Sequence, residues 1–436
     1  MNVRRWRVAA SGGAALAALV LGANPAMAAA ETPFAPVSVS DTGVLAWDRS
    51  WNVVSSGDGR AVLFESYASN LVPDDTNGRP DVFVRNLTTG KTVRANLADS
   101  GAEANGHDYS QLATISGDGR YVAFESRSTN LVPGDTNGEP DVFVRDLVEG
   151  TTQRVSVGAD GAQADSMSGN PSISANGRYV AFQSLAGNLV PGDTKEYDIF
   201  VRDLVAGTTQ KISVAADGGR ANWWSQVPTI SADGRHVAFY SNADNLVPGD
   251  TNRQVDLFVR DLDSGTTVRA SVGPDGKQVA GAFIDPMGIY LDVALSAHGR
   301  HVAFSSDSAE LVPGDTDGAA DVFVRDLAAG TTVNATAAYP ERSVGPSLSA
   351  NGQILTFLTR PAGNTKEGFR TAVRLKLASG EATLVCDEDD GTGPAECPGA
   401  SMSADGRSVA VVTYRAFGMS QNNWFTPWVF VRSGLQ

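Results

Sequence analysis

Ser116-Gly117-Asp118-Gly119-Arg120-Tyr121-Val122-Ala123-Phe124-Glu125-Ser126 is the stretch that decides the fold, because it returns in variant form along the whole chain. Self-similarity at a period of this size marks one supersecondary unit copied many times. The turn glycines Gly59, Gly119, Gly177, Gly234, Gly299, Gly352 and Gly406 count seven copies, at separations of 60, 58, 57, 65, 53 and 54 residues. Around the quoted stretch, Gln111 to Ile115 and Tyr121 to Ser126 are β-rich runs joined by an Asp-Gly turn, the signature of a hairpin. The loop Asn130 to Pro140 leads to a third run, Asp141 to Leu147, and a turn at Glu149-Gly150 leads to a fourth, Thr151 to Val157. Four short runs per copy, with no helical period, describe one antiparallel sheet.

Such a sheet has two apolar faces, since Val122 and Phe124 point one way and Tyr121 and Ala123 the other. Neighbouring copies must cover both, and radial packing about a channel does so. The expected fold is therefore all-β: a seven-bladed β-propeller of four-stranded antiparallel blades. The last copy stops one strand short, at Trp428 to Arg432, while Pro36-Val37-Ser38-Val39 matches the outer-strand pattern of Arg154 to Val157 and Lys211 to Val214. The N-terminal strand is thus expected to complete the last blade and close the ring. The sixth copy, Leu348 to Thr359 and Arg370 to Leu377, is the weakest.

The Ser-x-Asp-Gly-Arg turn, followed by Val-Ala-Phe-x-Ser and then Asp-Val-Phe-Val-Arg-Asp-Leu, resembles the TolB-like propeller repeat, a relative of WD repeats. The resemblance spans residues 34 to 432. It implies an extracytoplasmic binding scaffold and names no ligand. The chain differs from TolB itself in leaving no room for an N-terminal α/β domain before the first strand.

The chain has 436 residues, 42% of them hydrophobic, enough to bury a large core. Arg4, Arg5 and Arg7, an apolar run from Ala14 to Leu21 and the small residues Ala26 to Ala30 read as a secretory signal peptide over residues 1–30, leaving a single propeller domain over 31–436. No later run is apolar enough to span a bilayer. A secreted, extracytoplasmic monomer is expected, and there Cys386 and Cys397 would close an acidic loop as a disulfide. The formal charge of −15 grows three units more negative when the leader arginines are lost, which repels nucleic acid and anionic membranes.

The most distinctive loop is Asp135-Thr136-Asn137-Gly138, with Asp141 three residues on. It is echoed by Asp75, Asn77 and Asp81, by Asp315, Asp317 and Asp321, and less completely in the third and fourth copies. Oxygen donors at alternate positions around a glycine suit Ca²⁺. They equally suit a network of Asx turns that fixes the start of the third strand. The Asp-Gly-Arg turns recur too regularly for catalysis and read as turn hydrogen bonds and inter-blade ion pairs.

Copies differ most in the connections between blades. These carry Trp47 and Trp51; His107, Asp108 and Tyr109; Trp223 and Trp224; and Phe283, Asp285 and Tyr290. They emerge on the same face as the Asp-Thr-Asn-Gly loops, where aromatic platforms beside polar groups suit a sugar ring or a peptide. Trp and Tyr also pack between blades, so both placements stay open. No nucleophile elbow, zinc helix or phosphate loop occurs, and His107, His236, His298 and His301 are the only histidines. The reading is a secreted non-catalytic scaffold for a protein, peptide or glycan, stiffened by Ca²⁺. The alternative is a propeller glycan lyase or hydrolase acting at the channel mouth.

Overall fold

A computed structural model describes residues 34–106, 112–279, 293–339, 341–360, 370–386, 396–414 and 427–435, and the backbone of 28 and 29. Seven antiparallel sheets follow one another as blades 1 to 7. Blade 1 consists of Ser50–Ser55, Ala61–Ser66, Asp81–Asn86 and Lys91–Arg94, from the innermost strand outward. Blade 2 repeats this with Thr114–Ile115, Tyr121–Ser126, Asp141–Asp146 and Thr151–Arg154. The weak sixth copy is a full blade, Val344–Leu348, Ile354–Thr359, Thr371–Lys376 and Glu381–Leu384. Beside its outer strand Ala28–Ala29 adds a short parallel pairing to Thr383 and Leu384.

Ring closure runs through the N-terminal strand as the pattern requires. Phe34–Pro36 pairs antiparallel with Trp428–Arg432, Phe34 opposite Arg432, and supplies the fourth strand of blade 7. The strand lies two residues earlier than the matched stretch. Val37 and Ser38 still donate to the Val429 carbonyl, but Val39 has already turned the corner and bridges to Leu45.

Each sheet does bury both faces. Val122, Phe124 and Phe143 of blade 2 pack with Leu63, Val82 and Val84 of blade 1, whereas Ala123, Val142 and Val144 pack with Val180, Phe182 and Phe200 of blade 3. Blades 1 to 5 each stack one phenylalanine of the second strand on one of the third, as Phe124 on Phe143 with ring centres 5.8 Å apart. All ten rings are fully buried, so these offset pairs anchor the radial core.

The Ser-x-Asp-Gly-Arg turn explains itself atom by atom. Ser116 Oγ donates to Asp118 and accepts the Tyr121 amide, while Asp118 accepts the Arg120 amide. The arginine's ion pair lies within its own blade, correcting the inter-blade expectation: Arg120 grips Asp146 at the end of the third strand, and Arg178 and Arg300 do the same with Asp203 and Asp326.

Between blades, the backbone makes the link. Asp58 donates to Gly117 O, Gly117 to Ala175 O, Ala175 to Ala232 O, Asp233 to Ala297 O, Ala297 to Ala350 O, Ala350 to Ala404 O and Ala404 to Gly57 O, all between 2.7 and 3.1 Å. Seven turns are thereby stitched into a closed ring around the lower end of the channel. The ring accounts for the second position of the turn motif being Gly57, Gly117 or an alanine in every copy. A Cβ on Gly117 would already stand 2.8 Å from that of Ala175.

Candidate functional site

With the lower end drawn together by the turns, the variable surface is the opposite face, formed by the loops between second and third strands and by the connections between blades. In blades 1 to 4 the two are tied together by an asparagine of the loop. Asn70 Nδ2 donates to Leu45 O and its Oδ1 accepts the Trp47 amide; Asn245 does the same with Arg220 O and the Asn222 amide. Loop and connection therefore form one joined surface in each of blades 1 to 4.

The acidic loops hold a cation of the protein's own. In blade 1 Arg94, from the outer strand, puts Nη1 3.1 Å from Asp81, 3.5 Å from Asp75 and 2.6 Å from Glu103. Asn77 and Asn96 donate to Asp81 as well. In blade 2 Arg154 lies 3.3 Å from Asp135 and 3.4 Å from Asp141, and Gln163 donates to both carboxylates. Asn137 reaches the Ala164 carbonyl instead. Lys211 fills the corresponding place between Asp193 and Asp198 in blade 3, and Arg269 between Asp250 and Asp256 in blade 4. Apart from Glu103 these charged side chains are almost wholly buried, and a buried carboxylate pair needs such a counter-charge.

Blade 5 breaks the series. The outer-strand position of Arg94 is Asn334, which donates to Asp321 at 2.8 Å, and Thr336 donates to the same carboxylate at 2.5 Å. The loop also carries Asp317 where blades 1 and 2 have Asn77 and Asn137. Carboxylate oxygens of Asp315, Asp317 and Asp321 lie within 4.8 Å of one another, a set that could hold a metal ion. Among the described residues no lysine or arginine pairs with them.

Protonation follows from these contrasts. Burial, then repulsion from Asp321 and Asp317, pushes Asp315 up to about 6. Asp75 also rises to about 6 through burial and Asp81, against the pull of Arg94. Glu103 feels some burial too, but hydrogen bonds from Thr76 and Arg94 hold it down to about 2. Asp75, Asp81 and Glu103 form a second acidic cluster, but its centre is taken by a guanidinium.

The aromatic candidates divide. Trp47 is 75% exposed and Trp223 56% exposed, the only large aromatic side chains so exposed among the described residues. They belong to the connections into blades 1 and 4, three blades apart around the ring. Trp51 is half-buried, packed 5.3 Å from Tyr67 with Arg49 over both rings. Trp224 is half-buried and its carbonyl accepts from Ser241. His107, Asp108, Tyr109, Phe283, Asp285 and Tyr290 lie outside the described residues.

The channel wall carries its own irregularity. Asn52, Asn170 and Val227 have positive φ at the same bulge of three innermost strands, and the blade 6 counterpart is Gly345. Val227 is a β-branched residue at φ 55°, an uncommon conformation that costs energy. Side chains of second strands support the bulges: Gln183 accepts the Val227 amide at 3.0 Å, and Glu65 accepts from Asn52 Nδ2 at 2.7 Å. The turn histidines are structural, with His236 and His301 lying over Gly299 and Gly352 of the next blade and His298 bonded to Asp233.

Cys386 and Cys397 form a disulfide at the connection from blade 6 to blade 7. The cation in the acidic loops of blades 1 to 4 is what sequence reasoning missed. Its signal was present in the outer-strand patterns Arg154-Val155-Ser156 and Lys211-Ile212-Ser213, whose basic residue recurs while Asn334 departs.

No protein-family model and no curated protein matches the sequence. Solved structures do resemble it in shape. The β-propeller domain of the Trilobed protease from Pyrococcus furiosus, described as having an open velcro topology, matches at a TM-score of 0.53 and 10% identity, over 89% of this chain and 96% of that one. Oligogalacturonate lyase from Vibrio parahaemolyticus matches at 0.50 and 12% identity, over 89% and 90%. TolB from Acinetobacter baumannii aligns at 16% identity over 88% and 79%, with a TM-score of 0.41. At these identities the likeness concerns architecture alone, and the chain is a seven-bladed β-propeller closed through its N-terminal strand.

Proposed function

We propose that this protein is an extracytoplasmic, non-catalytic scaffold that binds a peptide or glycan on the face bearing the loops, with Ca²⁺ held in blade 5. The exposure of Trp47 and Trp223 on the one variable face carries this reading, because an exposed indole offers a flat apolar surface with one hydrogen-bond donor, suited to a sugar ring or an extended peptide. Their separation by three blades favours a ligand that crosses the channel mouth over one held in a single pocket. The disulfide supports an oxidising compartment.

Calcium is favoured in blade 5 by the donor set. Three carboxylates around Gly318 are hard oxygen ligands, and the counter-charge that Arg94 and its equivalents bring elsewhere is replaced by a neutral amide. Peptide and glycan arrays probed with the wild type and with a Trp47→Ala/Trp223→Ala variant test the reading. Retention of the same bound probes by the variant excludes the exposed indoles as the binding surface. Calcium is tested separately, by thermal unfolding in EDTA and then with CaCl₂ or MgCl₂; an absence of any Ca²⁺-specific rise removes the metal and leaves the scaffold reading standing.

A further inference from the structure

Successive blades share a second repeated device, on their outer edges. An arginine of the third strand donates to a threonine of the outer strand, and that threonine reaches a corner carbonyl of the preceding blade. Arg85, Thr92 and Val39 form the first set, Arg145, Thr152 and Leu97 the second, and Arg202, Thr209 and Val157 the third, with hydroxyl-to-carbonyl distances of 2.6, 2.5 and 2.6 Å. In the first two junctions the corner adds a carboxylate two residues beyond that carbonyl. Asp41 accepts the Thr92 amide at 2.7 Å and lies 3.9 Å from Arg85; Asp99 accepts the Thr152 amide at 2.6 Å, beside Arg145.

At the junction of blades 4 and 5 that corner position is Pro274. The threonine clamp is longer, with Thr332 Oγ1 3.3 Å from Val272 O, and a groove of 680 Å³ opens beside it, lined by Arg269, Val272, Gly276, Lys277, Gln278 and Arg325. Arg325 is only 8% exposed, its Nε is buried without a hydrogen-bond partner, and its one bond among the described residues is from Nη1 to Thr332. No carboxylate among the described residues pairs with it. Neighbouring acids are engaged elsewhere: Asp326 with Arg300, Asp275 with Lys277 and Asp250 with Arg269. A guanidinium stays charged when buried, so it is left with an uncompensated desolvation cost.

We propose that the groove between blades 4 and 5 binds the carboxylate group of a small organic acid, which takes the place that Asp41 and Asp99 hold in the first two junctions and that Ala159 and Ala216 leave unfilled in the next two. The groove borders the blade 4 loop through Val247, Gly249 and Thr251, and its occupancy is independent of calcium in blade 5.

Acetate is the probe. Thermal unfolding in EDTA is followed with sodium acetate against sodium chloride at equal ionic strength, for the wild type, Pro274→Asp and Arg325→Gln. The expected result is a higher Tm for the wild type in acetate, no response in Arg325→Gln, and a Pro274→Asp protein that is already stabilised in chloride and no longer responds. Equal wild-type Tm in the two salts overturns the proposal, as does a full acetate response in Pro274→Asp. That second variant decides the matter even if Arg325→Gln does not fold.

Discussion

Asn334→Arg puts into blade 5 the cation that blades 1 to 4 carry at the same strand position, and its consequence can be worked out from Asp315. That carboxyl has a pKa of about 6, raised from 3.8 by burial and by Asp321 and Asp317. Returning it to the ordinary value removes about two units, or roughly 3 kcal/mol at about 1.4 kcal/mol per unit. Asp315 is only partly buried, so solvent screens the pair, and ordering an arginine side chain costs some of the gain. A net stabilisation of about 1 to 2 kcal/mol remains, a Tm rise on the order of 2 °C for a chain of this size.

The pH dependence has a definite sign. Because the folded pKa is raised, between about pH 4 and 6 the native protein holds a proton that the unfolded chain has released, and wild-type stability falls as pH rises through that window. The variant escapes this loss, so its advantage is present at pH 7.5 and shrinks towards pH 4.5. The assay is thermal unfolding in EDTA at those two pH values, followed by CaCl₂ titration at pH 7.5. The arginine should also abolish the Ca²⁺-induced rise. An unchanged Ca²⁺ response, or a variant less stable than wild type at pH 7.5 in EDTA, refutes the reasoning.

The reverse exchange, Arg94→Asn, leaves Asp75, Asp81 and Glu103 without their guanidinium and should cost about 3 to 5 kcal/mol in EDTA, the loss expected on breaking a buried pair; partial recovery of Tm with Ca²⁺ is expected, and none would mean that the blade 1 carboxylates cannot take a metal. Two glycines with similar φ separate backbone strain from contact. Gly78→Ala, at φ 63° with open space around it, should lose about 1 to 2 kcal/mol, whereas Gly177→Ala, at φ 70°, also drives a Cβ to 2.2 Å from the Tyr121 ring and should lose about 2 to 5 kcal/mol. Equal losses in urea unfolding would show that the inter-blade contact is dispensable. Reduction of Cys386–Cys397, which spans 11 residues, should lower stability by about 3 kcal/mol on the chain-entropy model, with a Cys386→Ala/Cys397→Ala variant indifferent to dithiothreitol.

How far the residues alone reach can be judged position by position. The seven turns, the four strands of each copy and the closing N-terminal strand were legible because hydrogen-bonded hairpins and period-2 alternation are local patterns. Asp118 and Gly119 announce their turn within five residues, and the face that Phe124 buries follows from Tyr121, Val122 and Ala123. Even the weak sixth blade, with Asn351-Gly352-Gln353 for the turn, kept enough of the pattern to be counted. The candidate site was half legible. The acidic loops and the inter-blade tryptophans stood out, but nothing local separates Trp47, exposed, from Trp51, packed on Tyr67.

The sequence by itself determined the architecture, since one module with two apolar faces has few ways to bury both, and it located the variable face. Tertiary structure alone decided which charges meet. Asp75 and Arg94 are 19 residues apart, and Asp141 and Arg154 13, on strands whose side chains converge only once the sheet is formed and the loop folds over it. The same holds for the ring of turns, where Ala404 and Gly57 come together from opposite ends of the chain, and for Arg325, whose junction brings it near Pro274, 51 residues away. Charge pairing depends on distances of a few ångströms between elements, and only packing sets those distances.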